Sequence, residues 1–348
     1  MNKKLILAGL VFSLMPGFCW ASDLDADMAA RVEPPSMMTR MGAYFGKVDA
    51  QMEMARAYAT GNGVEKNFGE AVQWWKKAAA QGNVSAAYAI GLSMIEGDLE
   101  GVSQNYQEAA QWFKKAALAG DAWGAYSLGL MYETGVGKMV AAPTEAAKWY
   151  ILAAQQGQDR AASNLGLLYF TGRGVQQSYE EAIKWFRIAA EQPNNGVAWY
   201  HLGVIYADGL GVQPDYAMAL RWLRMAAEKN MPEALEKLGA LHYEGKGVPQ
   251  DFTEAYKFYR RAAELDDVKA QMLIAQMLDS GQGVARNSDE AMVWSRRAAT
   301  QELRKTATKK SAFERIVHFV TRDSLAATQQ ATREKAAPAS EIEPPPVK

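Results

Sequence analysis

The chain has 348 residues, of which 49% are hydrophobic and 22% are charged, and its formal net charge is -1. These proportions are ordinary for a folded protein. Because the positive and negative charges nearly balance, the overall field gives no general attraction for nucleic acid or for an anionic membrane.

The first 21 residues have the features of a secretory signal peptide. Lys3 and Lys4 supply a positive start, the apolar run that follows is too short to span a bilayer as a mature helix, and small residues suit cleavage after Ala21. We therefore expect a periplasmic or secreted protein with no integral membrane segment after cleavage. The alternative for this segment is an uncleaved anchor.

Cys19 is the only cysteine of the chain. It raises the possibility of a lipoprotein, but Phe18 stands where a lipoprotein signal has a small residue. If cleavage follows Ala21, the mature chain contains no cysteine and therefore neither a disulfide nor a cysteine metal site.

Four columns of residues repeat in phase through seven units over residues 49–301. Each unit has a loop glycine, an alanine pair, an aromatic residue four positions before that pair and an alanine seven positions before it. The loop glycines are Gly61, Gly97, Gly135, Gly172, Gly209, Gly245 and Gly281, and the aromatic column is Trp74, Trp112, Trp149, Trp185, Trp222, Phe258 and Trp294. Self-similarity at a period of this length indicates an array of stacked helix pairs.

The first helix of each unit is predicted from an apolar stripe, which in unit four is Ala161, Leu165, Leu168 and Tyr169. Gly166 lies on that stripe, and glycine recurs in its column, so we expect a neighbour to approach there more closely than a side chain allows. The helix then ends at the loop glycine. We expect the tryptophan column to pack in the core and not to form an aromatic box for a cofactor.

The second helix opens with a capping box in five units. These boxes pair Asn67 with Glu70, Asn105 with Glu108, Ser178 with Glu181, Asp251 with Glu254 and Asn287 with Glu290. Unit three has Ala142 and Pro143 instead, and unit five has Asp215 but Met218 in place of glutamate. We expect looser second-helix starts in those two units.

These columns resemble the Sel-one-like repeat (SLR) family, which is related to tetratricopeptide repeats. The resemblance is strongest where Leu165-Gly166-Leu167-Leu168-Tyr169 precedes Gly172-Arg173-Gly174-Val175, and at 202–206. It covers about residues 50–299 and implies an all-α, right-handed superhelical solenoid with an adaptor or scaffold role. Two departures stand out: the insertion at 97–101 predicts an altered turn, and this chain lacks the cysteine pairs of many exported relatives.

The two ends lie outside the repeats. Residues 22–48 form an N-terminal leader or capping segment in which Ser36 to Gly46 can add a helix. Residues 302–335 are predicted as C-terminal capping helices, because Phe313, Ile316, Val317 and Val320 form an apolar stripe that suits the exposed end of an array. The alternative is a partner-binding helix. Residues 336–348, which contain Pro344-Pro345-Pro346, are predicted to be a disordered tail.

A search for catalytic motifs finds none. The three histidines are not spaced as metal ligands on one helix, and neither a Gly-x-Ser-x-Gly elbow nor a Ser-x-x-Lys motif occurs. We therefore expect no catalytic residues, no metal and no cofactor, and a binding module rather than an enzyme.

A binding groove is predicted on the first helices, at the positions nine and five residues before each loop glycine. These positions are apolar in units two to five and polar toward both ends of the array. The candidate residues are Trp123, Tyr126, Leu130, Leu167, Trp199, Tyr200 and Val204, with the two tryptophans as flanking anchors. The alternative is that these side chains pack between neighbouring first helices. We expect one or more protein partners and no nucleic acid; other possibilities are an envelope enzyme, an enzyme-activating subunit or a secreted factor that engages a host protein.

Overall fold

The computed structural model describes residues 34–97, 101–137 and 139–304. Over these residues the chain forms fifteen helices and no strand, so the predicted all-α repeat architecture is confirmed. Three predictions fall outside the described residues: the capping stripe around Phe313 and Val317, the signal peptide over residues 1–21, and the disordered tail over residues 336–348.

A short helix, α1 (Met37–Tyr44), precedes seven helix pairs. It is the helix predicted over Ser36 to Gly46, and the hydroxyl of Ser36 caps it by accepting from the Thr39 amide at 3.1 Å. The first helices of the pairs are α2 (Val48–Thr60), α4 (Val84–Glu96), α6 (Ala122–Thr134), α8 (Asp159–Thr171), α10 (Gly196–Asp208), α12 (Pro232–Glu244) and α14 (Val268–Ser280). The second helices are α3 (Phe68–Ala80), α5 (Tyr106–Leu118), α7 (Pro143–Gln155), α9 (Tyr179–Ala190), α11 (Tyr216–Glu228), α13 (Phe252–Glu264) and α15 (288–304).

The helices pack as a linear array. In units one to six, each first helix lies against the second helix of its own unit, and that second helix lies against the first helix of the next unit. First helices of neighbouring units also approach one another directly from unit three to unit six, whereas no two second helices come as close. The first helices therefore line the inner, concave side of the solenoid.

In units one to six, the centre of the unit is filled by the residue that follows the aromatic column. Phe186, which follows Trp185, is fully buried, and a Cβ atom at Gly166 would lie 2.7 Å from its ring. The same relationship joins Gly91 to Phe113, Gly129 to Tyr150, Gly203 to Leu223 and Gly239 to Tyr259. The prediction that glycine permits a close approach is thus confirmed, and the neighbour is a side chain of the unit's own second helix.

The prediction that the tryptophan column fills the core is correct only for Trp74, which is buried. Trp112, Trp149, Trp185, Trp222 and Trp294 are partly buried and pack against the edge of the core. The physical reason is the angle of about 100° between successive helix residues. The following residue points directly at the first helix, and the tryptophan points to one side, along the array.

The caps follow the sequence closely. In all five predicted boxes, the side chain of the first residue accepts a hydrogen bond from the backbone amide of the glutamate, as from Glu70 to Asn67 at 3.0 Å. Ala142 makes no side-chain cap bond. Asp215 still accepts from the Met218 amide at 2.9 Å, so unit five keeps the part of the box that the helix start needs most.

The insertion in unit two changes its turn, as predicted. Gly97 has φ 56° and ψ -176°, whereas the loop glycines of the other units adopt the ordinary left-handed conformation, as Gly172 does with φ 69° and ψ 22°. The chain leaves α4 in a different direction and returns through Gln104, whose amide Nε2 donates to the carbonyl of Ile95 at 2.8 Å.

Candidate partner-binding groove

Four positions of each first helix form the inner face of the array. They lie 12, 8, 5 and 1 residues before the loop glycine, a spacing that places them on one side of a helix. In unit four they are Arg160, Asn164, Leu167 and Thr171, and in unit five Val197, His201, Val204 and Asp208; all eight are partly or fully exposed. We call these eight residues the central inner face.

The position nine residues before the glycine has a different role. The Tyr88 hydroxyl lies 3.5 Å from Ser127 Oγ, which belongs to the next unit at the position eight before its glycine. The Asn164 side chain of the following unit lies near the Tyr126 hydroxyl in the equivalent way, and its Nδ2 donates to the Tyr150 hydroxyl at 3.2 Å. This column therefore connects neighbouring first helices, which was the alternative to groove lining.

The seven predicted groove residues divide into two groups. Tyr126, Leu130 and Trp199 are buried, and the indole Nε1 of Trp199 donates to the Ala190 carbonyl at 3.3 Å. These three belong to the core. The other four, Trp123, Leu167, Tyr200 and Val204, are partly exposed and remain available to a partner.

Trp123 borders the central inner face on the side of unit three. The guanidinium of Arg160 lies 5.9 Å from the centroid of its ring, and the Tyr126 ring meets it edge-on at 6.1 Å. Burial lowers the pKa of Arg160 from its usual value, so the cation loses part of its hydration at this site. Trp123 and Arg160 together form an edge that combines a flat apolar surface with a positive charge.

A chain of polar groups holds units three and four in register below this edge. The Tyr150 hydroxyl donates to Glu133 Oε2 at 2.5 Å and accepts from Asn164 Nδ2 at 3.2 Å. Arg173 pairs with the same Glu133 carboxylate. Burial raises the pKa of Tyr150 well above its usual range, so its hydroxyl stays a neutral donor.

The face becomes charged beyond unit five. Lys237 pairs with Asp208 at 2.8 Å, and Lys269 pairs with Glu236 at 2.7 Å. Burial raises the pKa of Tyr200, and nearby carboxylates, among them Glu233 and Glu236, raise it further. Tyr200 thus stands where an apolar surface meets an acidic one.

His201 lies in the floor of the central inner face. Its ring contacts the aromatic rings of Phe170, Phe186 and Tyr200, with centroid distances of 5.2, 5.0 and 5.0 Å. Burial lowers the pKa of His201 to about 4, so the imidazole is neutral at physiological pH. Asn164 and His201 belong to a column that was not among the predicted groove positions. The residue type in that column varies from unit to unit, and this variability is the signal that could have identified it.

Two arrangements, a metal-ligand cluster and a membrane-spanning helix, are absent from the described residues. Nowhere in them do three His, Cys, Asp or Glu side chains come together as metal ligands would. Among the helices of the same part of the chain, none combines the length and apolarity that crossing a membrane requires.

Comparisons with known proteins agree with this geometry. The family model for the Sel1 repeat matches residues 48–83, 84–121, 124–158, 159–194, 197–231, 232–267 and 268–303. A protective antigen of uropathogenic Escherichia coli strains that has an SLR fold is 34% identical, with a TM-score of 0.67, over 76% of this chain. The match covers 56% of that protein, so this chain spans little more than half of its length.

A second similar structure is a Sel1 repeat protein from Oxalobacter formigenes. It is 29% identical, with a TM-score of 0.62, and the match covers 86% of this chain and 83% of that protein. None of the curated proteins is similar enough to this chain to count as a relative.

Proposed function

This chain belongs to the Sel1 repeat family, and we propose that it is an exported, non-catalytic scaffold that holds a segment of a protein partner on its central inner face. Sel1 repeat proteins generally mediate protein–protein interactions. The observation that carries the proposal is the position of Leu167 and Val204, two apolar side chains that stay partly exposed at equivalent positions of neighbouring first helices in the middle of the array.

The surroundings of these two side chains suit a bound segment. The same column holds the exposed polar residues Arg56 and Gln276 near the two ends of the array. The apolar patch formed by Leu167 and Val204 is therefore confined to the middle of the array. Trp123 on one side and Tyr200 on the other are amphipathic aromatics of the kind that dominates binding energy in protein interfaces. Asn164 and Asp208 add polar groups that can bind the backbone of the segment.

The size of the patch sets the kind of ligand. The patch extends over two neighbouring first helices, and parallel packed helices lie about 8–10 Å apart. That width accommodates one helix face or an extended stretch with a few apolar side chains. The basic Arg160 at one edge and the carboxylates around Tyr200 at the other favour a segment that is acidic at one end and basic at the other.

Export forms the second part of the proposal. It rests on the signal-like residues 1–21 and on the lack of any cysteine after Cys19. The similar protein from uropathogenic E. coli strains is a protective antigen, which accords with a protein that leaves the cytoplasm. Mass spectrometry of the native protein tests this part directly: a chain that begins at Ser22 supports it, and one that retains Met1 or carries lipid contradicts it.

Site-specific photo-crosslinking tests the binding part. A photoreactive amino acid at position 167 or 204 is expected to capture the same partner in the cells that make the protein. The matched control is position 276, which lies in the same column and is exposed. Capture from 276 but not from 167 or 204 would move the binding surface to the end of the array.

A further inference from the structure

Among the residues that the structure describes, none covers one face of the last repeat. A groove of about 1240 Å³ runs between α14 and α15, with Met272, Leu273, Ala291, Met292 and Ala298 among its apolar lining residues. In every earlier unit, the corresponding face is covered by the first helix of the next unit. We call this opening the end groove.

Exposure along two columns shows that the end groove is an uncovered packing surface. Met292 is 52% exposed, whereas Ile183 and Leu220, at the same position of their second helices, are 8% and 6% exposed. Met272 is 62% exposed, whereas Tyr126 in the same column of unit three is buried. Apolar side chains that the array buries elsewhere are therefore left without a cover here.

We propose that residues 310–322 of this same chain occupy the end groove as an eighth first helix. We call these residues the C-terminal segment. The described part of the chain ends at residue 304, and Glu302 already lines the groove. The segment therefore begins within six residues of the place that it would fill.

The C-terminal segment has the residue pattern of a first helix. Apart from Ala275, the buried positions of α14 are Ala270, Gln271, Ile274, Met277 and Leu278. The same spacing in the segment gives Ala312, Phe313, Ile316, Phe319 and Val320. The small residue that opens the pattern is kept, and each of the four larger positions is apolar.

One departure from the pattern supports a terminal position. The segment has Val317 where the other first helices of units two to six have glycine. That glycine is required because a ring or a leucine side chain from the unit's own second helix covers it. Residues 321–348 contain no aromatic residue and one leucine, Leu325, so they supply no ring that a glycine at position 317 would accommodate.

The charges of the two surfaces are complementary. The end groove is lined by three carboxylates, Asp267, Asp279 and Glu302, and one amine, Lys269. Residues 305–322 contain five basic side chains and one acidic side chain; they are Lys305, Lys309, Lys310, Arg315, Arg322 and Glu314. An acidic groove next to a basic amphipathic segment favours docking within one chain, because the tether keeps the local concentration of the segment high.

The inter-repeat contacts give the register. Tyr88 meets Ser127, and Tyr126 meets Asn164, so the position nine before the glycine contacts the position eight before it in the next unit. By the same rule Met272 faces Arg315. A disulfide between cysteines at these two positions therefore reports the proposed arrangement.

The experiment uses the full chain with Cys19→Ser and the pair Met272→Cys with Arg315→Cys. Mild oxidation is expected to give an internally crosslinked monomer. The control pair, Met52→Cys with Arg315→Cys, uses the matching column at the other end of the array and is expected not to crosslink. Disulfide-linked dimers would show that a second copy of the chain fills the end groove. Equal crosslinking of both pairs, or no crosslinking of the first pair, would show that the C-terminal segment does not lie in the groove. Each of these three results overturns the proposal.

Hydrogen exchange gives an independent measurement on the full chain. Ile316→Asp removes an apolar contact of the C-terminal segment, so α14 and α15 are expected to exchange faster while α4 to α10 stay unchanged. The control, Ile342→Asp, introduces the same change outside the segment and is expected to leave exchange as in the wild type. Unaltered exchange of α14 and α15 in Ile316→Asp would contradict the proposed docking.

Discussion

The imidazole of His201 stacks on the ring of Phe186, with 5.0 Å between the centroids and 8° between the planes. His201 belongs to the first helix of unit five, and Phe186 to the second helix of unit four, so this contact joins two units. Burial lowers the pKa of His201 to about 4, and Nδ1 has no hydrogen-bond partner among the described residues. Burial at this contact therefore favours the neutral imidazole over the imidazolium.

This contact predicts a loss of stability in mild acid. An unfolded histidine has a pKa of about 6.5, and each unit by which the folded pKa lies lower corresponds to about 1.4 kcal/mol. Because the folded state binds the proton less readily, stability is complete above pH 6.5 and falls as the pH decreases toward 4. His201→Leu, which copies Leu273 in the same column of unit seven, is expected to reduce this decrease. Urea unfolding at pH 7.5 and pH 5 gives the free energy of unfolding of the wild type and of His201→Leu. The same pH dependence in the two proteins would refute the prediction.

Phe186 and Trp185 are expected to differ in their contribution to stability, although they are neighbours. Phe186 is fully buried against Gly166, so Phe186→Ala is expected to cost about 3–5 kcal/mol of unfolding free energy, as other large core truncations do.

Trp185 lies at the edge of the core, and its indole Nε1 is buried without a partner among the described residues. Trp185→Phe, which copies Phe258 of unit six, is expected to be close to neutral. Denaturant midpoints rank the variants, and a larger loss for Trp185→Phe than for Phe186→Ala would reverse the assignment.

Substitutions at Gly82 and Gly166 are expected to destabilise the protein for different reasons, backbone strain at the first and steric crowding at the second. Gly82 has φ +86° and open space around it, whereas a Cβ at Gly166 would meet the Phe186 ring. Gly82→Ala is expected to cost about 1–2 kcal/mol through its left-handed backbone. Gly82→Asn is expected to cost less, because asparagine tolerates this conformation, as Asn230 does at the same turn position with φ 55°. Equal losses for the two Gly82 variants would show that something other than backbone conformation sets the cost.

Gly166→Ala is expected to destabilise by crowding, by about 1–3 kcal/mol. The double variant Gly166→Ala with Phe186→Leu relieves part of the contact with the ring and is expected to lose less than the sum of the two single changes. Additive losses in a double-mutant cycle would indicate that the two side chains do not act on each other.

The sequence predicts the fold almost completely, and the binding face less well. Periodic columns determine helix bounds and caps, because each depends on residues close in the chain, such as Asn105 and Glu108. The groove depends on which side of a helix the next unit covers. In the sequence, Tyr126 and Leu167 both look like inner-face residues, but Tyr126 lies beside Asn164 of the next unit and is buried. Neighbouring residues of a helix point in directions about 100° apart. A prediction that is wrong by one position therefore assigns a residue to the groove when its side chain packs between units.

Leu130 and Leu167 provide the sharpest check of this distinction, because they occupy the same column in neighbouring units. Leu130 is 6% exposed and packs in the core, whereas Leu167 is partly exposed on the central inner face. Leu130→Asp buries an unpaired carboxylate and is expected to unfold units three and four or to lower the melting temperature strongly. Leu167→Asp leaves its carboxylate in contact with water, so we expect it to keep helical content and melt within a few degrees of the wild type.

Partner capture then separates folding from binding. Leu167→Asp combined with Val204→Asp is expected to remain folded and to lose capture of the partner that crosslinks from position 167. Gln276→Asp, in the same column, is expected to fold and capture as the wild type does. If the double variant folds and still captures that partner, the central inner face is not the binding surface. If Leu130→Asp is as stable as Leu167→Asp, Leu130 is more open than its packing indicates, and the groove extends into unit three.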